Sequence, residues 1–178
     1  MTVYPATYCP RCGTELGTKH VDGRDRQYCD SCDRVEWRNP APGAGVAVVD
    51  PDRGVLLTKR DIEPGIGKWA LPGGYLEVDE TPSVGAAREL EEETGVRVDP
   101  DDLQIVGTFT TTSFADEHVV SIRFVVGAER ATGTPEAGPE VQAVEWFTPE
   151  EFEGSELHEP HDVEFERAWK LLGTDRAQ

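Results

Sequence analysis

The sequence predicts an α/β sandwich with a small cysteine-paired module ahead of it. Three observations predict this. Short β-type runs at residues 45–49, 55–60, 103–112, 119–126 and 141–147 are interspersed with two helical segments, one over 81–94 and one in the last part of the chain. All four cysteines lie within the first 32 residues, as two pairs. The length, 178 residues, suits one ordinary domain with a small appendage. The expected division is a module over residues 1–38 and a main domain over 39–178.

Taken in order, residues 1–38 are polar and glycine-containing, with too few apolar side chains for a core of their own. Asn39-Pro40-Ala41-Pro42-Gly43 reads as a stiff linker, because its two prolines restrict it. Gly45-Val46-Ala47-Val48-Val49 reads as a short buried strand, Pro51-Asp52-Arg53-Gly54 as a turn, and residues 55–60 as the return strand. Residues 61–80 read as one long loop rich in Gly and Pro, and loops of such length are commonly functional. The helix over 81–94 has Thr81 at its N-cap, Pro82 in its first position and Gly95 past its end, each a residue type that the position favours. Farther on, Phe165, Ala168, Trp169 and Leu172 recur at helical spacing between Pro160 and Gly173, and read as core packing.

Acidic residues outnumber basic ones 35 to 17, for a net charge of −18. So negative a surface repels a nucleic-acid backbone or an anionic membrane, and neither is expected as a partner. The acidic excess is spread along the whole chain, which reads as surface hydration in a salty, halophilic cytoplasm rather than as one binding patch. No apolar run is long enough to span a bilayer. The N-terminus lacks the charged-then-apolar pattern of a secretion signal, so a cytoplasmic location is expected.

The cysteine pairs are Cys9-Pro10-Arg11-Cys12 and Cys29-Asp30-Ser31-Cys32. In a cytosolic chain this pattern reads as a metal site before it reads as disulfides. Two thiolates separated by two residues can bind one tetrahedral zinc from a tight turn, and two such turns complete a closed four-Cys site. A closed site is structural, because catalytic zinc keeps a position open for water. A redox-active pair would instead place one CxxC ahead of a helix. The module has little else to hold it together, so its folding is expected to depend on Zn2+. Arg11, Arg24, Arg26, Arg34 and Arg38 make it the least acidic part of the chain.

In Arg88-Glu89-Leu90-Glu91-Glu92-Glu93-Thr94-Gly95-Val96, Glu89, Glu92 and Glu93 stand at i, i+3 and i+4, so a helix puts them on one face. Like charges so placed repel. A hard divalent cation such as Mg2+, which takes carboxylate oxygens and bridges substrate phosphates, offsets the repulsion. A solvated acidic face is the alternative, and Glu91 fits it. The surrounding spacing is more specific: Gly74, five residues, Glu80, seven residues, then Arg88-Glu89-Leu90-x-Glu92-Glu93-x-Gly95-Val96. This pattern fills every fixed position of the Nudix box. The chain therefore resembles the Nudix hydrolase family, in the box over residues 74–96 and more loosely over 43–173. The cysteine module resembles the zinc ribbon that some members carry ahead of the Nudix domain.

The resemblance implies a Nudix α/β/α sandwich with a mixed sheet. It also implies hydrolysis of a nucleoside diphosphate linked to another moiety, assisted by Mg2+ or Mn2+. On the matching positions, Glu92 and Glu93 would be metal ligands, Glu89 a ligand or the general base, and the Gly73 carbonyl a further ligand. Glu80 would stabilise the site and Arg88 would hold the carboxylates in place. Relatives often bring another glutamate from outside the box. Glu140, Glu145 and Glu117 are the candidates, and Glu140, after Gly138-Pro139, is favoured.

Substrate markers are sparse. The Ser-Gln-Pro-Trp-Pro-Phe-Pro stretch of NADH pyrophosphatases is absent, and Thr108-Phe109-Thr110-Thr111-Thr112-Ser113-Phe114 occupies that region. Thr110 and Thr111 stand where many ADP-ribose pyrophosphatases have a proline, and the tyrosine of dinucleoside-polyphosphate hydrolases is missing. In layout the chain is most similar to ribbon-bearing relatives acting on ADP-ribose or FAD. ADP-ribose is therefore the first expectation, ahead of NADH, FAD and oxidised nucleotides. Lys68 would contact phosphate, Trp69 would pack beside the site or in the core, and Tyr75 or Phe114 would stack on a base. The alternative of another class is a catalytically idle nucleotide sensor or nucleic-acid-binding module, against which the unbroken box speaks. The resemblance leaves a homodimer open.

Overall fold

The computed structural model describes residues 5–63, 65–112, 118–152 and 161–173. Phe114, Glu117 and Pro160, all singled out in the sequence, lie outside the described residues. The chain forms two compact units, Met1–Ala41 with Thr112–Val119, and Pro42–Thr111 with Val120–Gln178.

In the first unit, β1 (Gly17–Val21), β2 (Arg24–Cys29) and β3 (Arg34–Glu36) form an antiparallel three-stranded sheet in that order. β1 and β2 are joined by Asp22 and Gly23 at φ 52° and 75°, the two-residue turn whose twist matches that of paired strands. Each cysteine pair is followed by a residue of the same left-handed conformation, Gly13 at φ 73° and Asp33 at φ 49°. The Gly13 N–H closes the first knuckle by donating to the Cys9 carbonyl at 2.9 Å. Among the described residues before Ala41, the buried hydrophobic side chains are Cys9, Tyr28 and Cys29, so two of the three are thiols.

The rest of the chain carries β4 (Ala41–Asp50), β5 (Gly54–Arg60), β6 (Trp69–Ala70), β7 (Gly73–Tyr75), α1 (Pro82–Thr94), β8 (Gln104–Thr112), β9 (His118–Gly127), β10 (Val141–Phe147), α2 (Pro149–Phe152) and α3 (His161–Ala168). A π-turn, Trp169–Gly173, continues α3. The strands make a mixed sheet in the order β10-β5-β4-β9-β8, with β6 on β5 and β7 on β4. Alternation along β4 builds two cores. Ala47 and Val49 face one side with Val55, Leu57, Val125, Phe147, Phe152 and Phe165. Ala44, Val46 and Val48 face the other with Leu56, Ala86, Leu90, Val96 and Phe124. The first core is covered by α2 and α3, whose Phe152 and Phe165 rings stack with centroids 3.7 Å apart, and the second by α1. Among the described residues, no helix is long and apolar enough to cross a membrane.

Three expectations are corrected. Residues 41–43 are not linker, because Ala41, Pro42 and Gly43 open β4. The Pro42 carbonyl accepts from the Leu76 N–H at 3.1 Å, while its missing N–H leaves no donor to satisfy. The strand read over 45–49 is accordingly ten residues long. Residues 61–80 are not one loop, because β6 and β7 lie inside it. β4 and β5 pair with each other at Val49↔Val55 and Asp50↔Gly54. Away from that turn, β7 pairs with β4 from Gly43↔Tyr75 to Gly45↔Gly73, and β6 pairs with β5 at Thr58↔Ala70 and Lys59↔Trp69. Strands of two or three residues have no periodicity to read. They are strands here because the ends of β4 and β5 offer them backbone partners.

Candidate active site

α1 is positioned by its apolar residues. Ala86 and Leu90 are fully buried against β4 and β5, which leaves the glutamates of the other face free to reach β7. Gly95, at φ 70°, ends the helix with its N–H on the Glu91 carbonyl. Thr81 stands at the N-cap as expected, but its hydroxyl makes no capping hydrogen bond.

Arg88 organises the carboxylates. Its Nε donates to Glu80 Oε1 at 2.7 Å and its Nη2 to Glu80 Oε2 at 3.1 Å. Its Nη1 donates to Glu89 Oε1 and Glu92 Oε2, both at 2.9 Å, and Nη2 also reaches the Tyr75 carbonyl at 3.1 Å. These five bonds match the five N–H groups a guanidinium has, and the pair with Glu80 is bidentate. Glu80 accepts further from the Glu77 N–H at 3.0 Å. Arg88 and that amide hold the Glu80 carboxyl below its ordinary range.

Glu89 and Glu93 are driven the other way. Burial pushes the Glu93 carboxyl up to about 7, and the negative charges of Glu89 and Glu140 add to it. The Gly73 N–H, donating to Glu93 Oε2 at 3.1 Å, and the Arg60 guanidinium only partly offset this rise. Glu89 is raised by burial first and then by the charges of Glu92 and Glu140, against the pull of Arg88. The Glu89 carboxylate lies directly on Gly74, where a Cβ would stand 2.6 Å from Glu89 Cδ and Oε1. Gly73 is at φ 155°, a conformation that side chains rarely adopt, and a Cβ there would meet the Ala44 carbonyl at 2.5 Å.

Glu140 is brought in from the loop before β10. The Gly138 N–H donates to the Glu93 carbonyl at 2.9 Å and the Glu136 N–H to the Thr94 carbonyl at 2.8 Å, satisfying carbonyls at the end of α1. The loop fits so closely that a Cβ on Gly138 would lie 2.0 Å from the Glu92 carbonyl oxygen. On its other side the Asp61 N–H donates to the Glu140 carbonyl at 3.0 Å, and Gln142 Nε2 donates to Asp61 Oδ1 at 2.9 Å. The structure thus joins Glu80, Glu89 and Glu92 through Arg88 and sets the Gly73 N–H on Glu93, while Glu140, with an exposed side chain, stands in the loop bonded to the end of α1. Glu145 lies exposed in β10 opposite Leu57. Trp69 packs in the core, edge-on to Phe147 at 4.7 Å, while Tyr75 is half-exposed. Arg60, at the end of β5, was not foreseen from the sequence; no local signal connects it to Glu93.

In the first unit, the Sγ atoms of Cys9, Cys12, Cys29 and Cys32 all lie within 4.8 Å of one another, and none is in a disulfide. A tetrahedral zinc with bonds of about 2.3 Å sets its sulfurs about 3.8 Å apart, so the quartet fits that ion. Hydrogen bonds with Thr14 lower Cys12 to about 6, while its contact with Cys12 and burial push Cys32 up to about 12. Thiols so crowded do not ionise together without a cation among them.

A family model described as the NUDIX domain matches residues 39–169. A MutT-like protein of Streptomyces ambofaciens is 39% identical over 108 residues, 61% of this chain and 63% of its own length. An ADP-ribose pyrophosphatase of Methanocaldococcus jannaschii is 33% identical over 101 residues, 56% of this chain and 57% of its own. The chain therefore spans less than two thirds of either relative. The crystal structure of a NUDIX hydrolase from Nitrosomonas europaea is similar with a TM-score of 0.69 and 26% identity, over 94% of each chain. A match from residue 39 to residue 169 takes in every carboxylate gathered around Arg88, and by it the chain belongs to the Nudix hydrolase family.

Proposed function

We propose that this protein hydrolyses a diphosphate bond in a nucleoside diphosphate linked to another moiety, with ADP-ribose as its first substrate. The observation that carries this is the face of α1 that bears Glu89, Glu92 and Glu93, with Arg88 joining Glu89 and Glu92 to Glu80 and the Gly73 N–H donating to Glu93. Such a donor set suits Mg2+, which takes carboxylate oxygens and keeps positions for water and phosphate. Glu89, Glu92 and Glu93 would hold the ion, with Glu140 and the Gly73 carbonyl as further donors. When bound, Mg2+ or Mn2+ neutralises charge on the diphosphate and makes a water more acidic.

The chain's own groups do the rest. Arg88 keeps Glu80, Glu89 and Glu92 in fixed relation. The Gly73 N–H orients Glu93 at Oε2. Glu89, with its raised proton affinity, is suited to take a proton from the attacking water at a carboxylate oxygen, and Glu140 is the alternative base. Water then adds to one phosphorus, the bridging P–O bond breaks, and two monophosphates leave. The similarity to the Methanocaldococcus jannaschii ADP-ribose pyrophosphatase supports ADP-ribose, and NADH, FAD or oxidised nucleotides are the alternatives. The cysteine quartet would hold one structural Zn2+. Paired thiols and an acidic surface suit a reducing, salty cytoplasm, and the same charge disfavours nucleic acid as a partner.

The test is hydrolysis of a panel by zinc-loaded protein with Mg2+ in high salt: ADP-ribose, NADH, FAD, diadenosine polyphosphates and nucleoside triphosphates. Cleavage of ADP-ribose to AMP and ribose 5-phosphate is expected. Cleavage of another member alone overturns the substrate, and cleavage of none in any metal or salt overturns the hydrolase. Gly74→Ala supplies a geometric check. The backbone of Gly74 is not left-handed, but the new methyl would occupy the place of the Glu89 carboxylate. A displacement on that scale lowers kcat by about a hundredfold with the fold intact. Wild-type kcat in Gly74→Ala would show that Glu89 is not needed where it stands.

A further inference from the structure

A buried ion pair on the far side of β7 is not used by the chemistry above. Arg123 in β9 donates from Nε to Glu164 Oε1 in α3 at 3.0 Å. The side chains are 12% and 1% exposed. Replacing such a pair by apolar residues is often neutral or stabilising, so stability alone gives little reason for it. Its surroundings give another. A Cβ on Gly45 would lie 1.9 Å from Arg123 Nη1, and a Cβ on Gly73 would lie 2.8 Å from it. Gly45 and Gly73 are register partners between β4 and β7. Two facing glycines thus leave the space that the guanidinium fills. Gly73 is also the residue whose N–H donates to Glu93 Oε2.

Resting on the hydrolase reading, we infer that Arg123, held by Glu164, is a positioning residue: its guanidinium packs against Gly45 and Gly73 and keeps the Gly73 N–H on the Glu93 carboxylate. The chain of contacts runs from α3 through Glu164, Arg123 and Gly73 to Glu93, and joins the helix on one face of the sheet to the glutamate helix on the other. Neither Arg123 nor Glu164 touches the reacting atoms. Arg60 is a cation whose charge favours the ionised form of Glu93, whereas Arg123 meets the site by packing on the backbone of Gly45 and Gly73.

Two full-chain, zinc-loaded variants test this. Arg123→Lys keeps a cation for Glu164 but lacks the planar fork that lies on the two glycines. The double variant Arg123→Met/Glu164→Leu removes both charges and keeps an apolar filling, so that it folds even where a lone buried charge would not. Hydrogen exchange of the Gly73 amide is followed by NMR, with the buried Leu56 amide as reference, and Mn2+ affinity is measured by calorimetry. Both variants are expected to speed Gly73 exchange by roughly tenfold relative to Leu56. Mn2+ binding is expected to weaken by about tenfold, the low end of the usual cost of losing a group that orients a metal's ligands. Gly73 exchange that simply follows Leu56, or unchanged Mn2+ affinity in a folded variant, overturns the positioning role. If wild-type protein binds no Mn2+, the hydrolase reading fails, and the Gly73 exchange still decides whether Arg123 braces β7.

Discussion

Glu93→Gln is expected to lower the rate of diphosphate hydrolysis by about a thousandfold or more, because it removes a proposed donor to the metal that activates the water. The same change is expected to stabilise the magnesium-free protein at neutral and higher pH. Burial and the charges of Glu89 and Glu140 raise Glu93 from the ordinary 4.5 to about 7 in the folded chain. Between those values the folded state holds a proton that the unfolded state has released, so stability falls as pH rises through this window. Above about 7 the full cost of the buried charge is present, and below 4.5 there is none. Glutamine never ionises. The difference in melting temperature between Glu93→Gln and wild type should therefore be near zero at low pH, grow across the window and level off above it. Glu80 has the opposite sign, since Arg88 lowers its pKa, but it is present in both proteins and drops out of the difference. Magnesium must be withheld rather than chelated, so that the thiol site keeps its own ion. Activity within about tenfold of wild type, or a melting difference flat with pH, would sink this account of Glu93.

Loss of zinc is expected to unfold the first unit and spare the second. Cys9 and Cys29 are two of the three buried hydrophobic side chains among the described residues before Ala41. The unit thus has almost no apolar core once the four thiols lose a shared ion. Structural zinc contributes about 10–16 kcal/mol to the folding of isolated zinc-finger peptides, far more than a three-stranded sheet of this size supplies by itself. Metal analysis should find one zinc per chain. Stripping it, or making Cys29→Ser, should collapse the amide spectrum of β1–β3 while β4, β5 and α1 keep theirs. Retention of the β1–β3 signals after complete zinc removal would show that Tyr28 and the hairpins suffice. A purified protein whose thiols bind no zinc at all would refute the site itself.

Legibility from sequence followed the range of the interactions involved. α1 could be placed to the residue because its signals are local: Thr81, Pro82 and Gly95 mark its ends, and Ala86 and Leu90 repeat at helical spacing. The same spacing puts Glu89, Glu92 and Glu93 on one face, and the cysteine pairs are likewise complete within two short stretches. The Asp22-Gly23 hairpin turn was also available as a local signal, but the strands beside it lack apolar alternation and did not announce themselves. β6 and β7 could not be read, because their strand character comes from the open backbone of β4 and β5.

The sequence by itself determined the fold class, through the periodicity of its strands and helices, and the glutamate helix and the paired cysteines, whose spacings are local. Tertiary structure alone decided which distant groups meet them. The loop that carries Glu140 lies on the end of α1 because its amides satisfy the last carbonyls of the helix, and it needs a glycine at 138 to approach so closely. Gly73 faces Glu93 because β7 pairs with β4, and Arg123 lies against Gly73 because β9 and α3 enclose the other side. Such encounters are set by strand order and by the packing of helices on the two faces of the sheet. Neither leaves a periodic mark in the residues that finally touch.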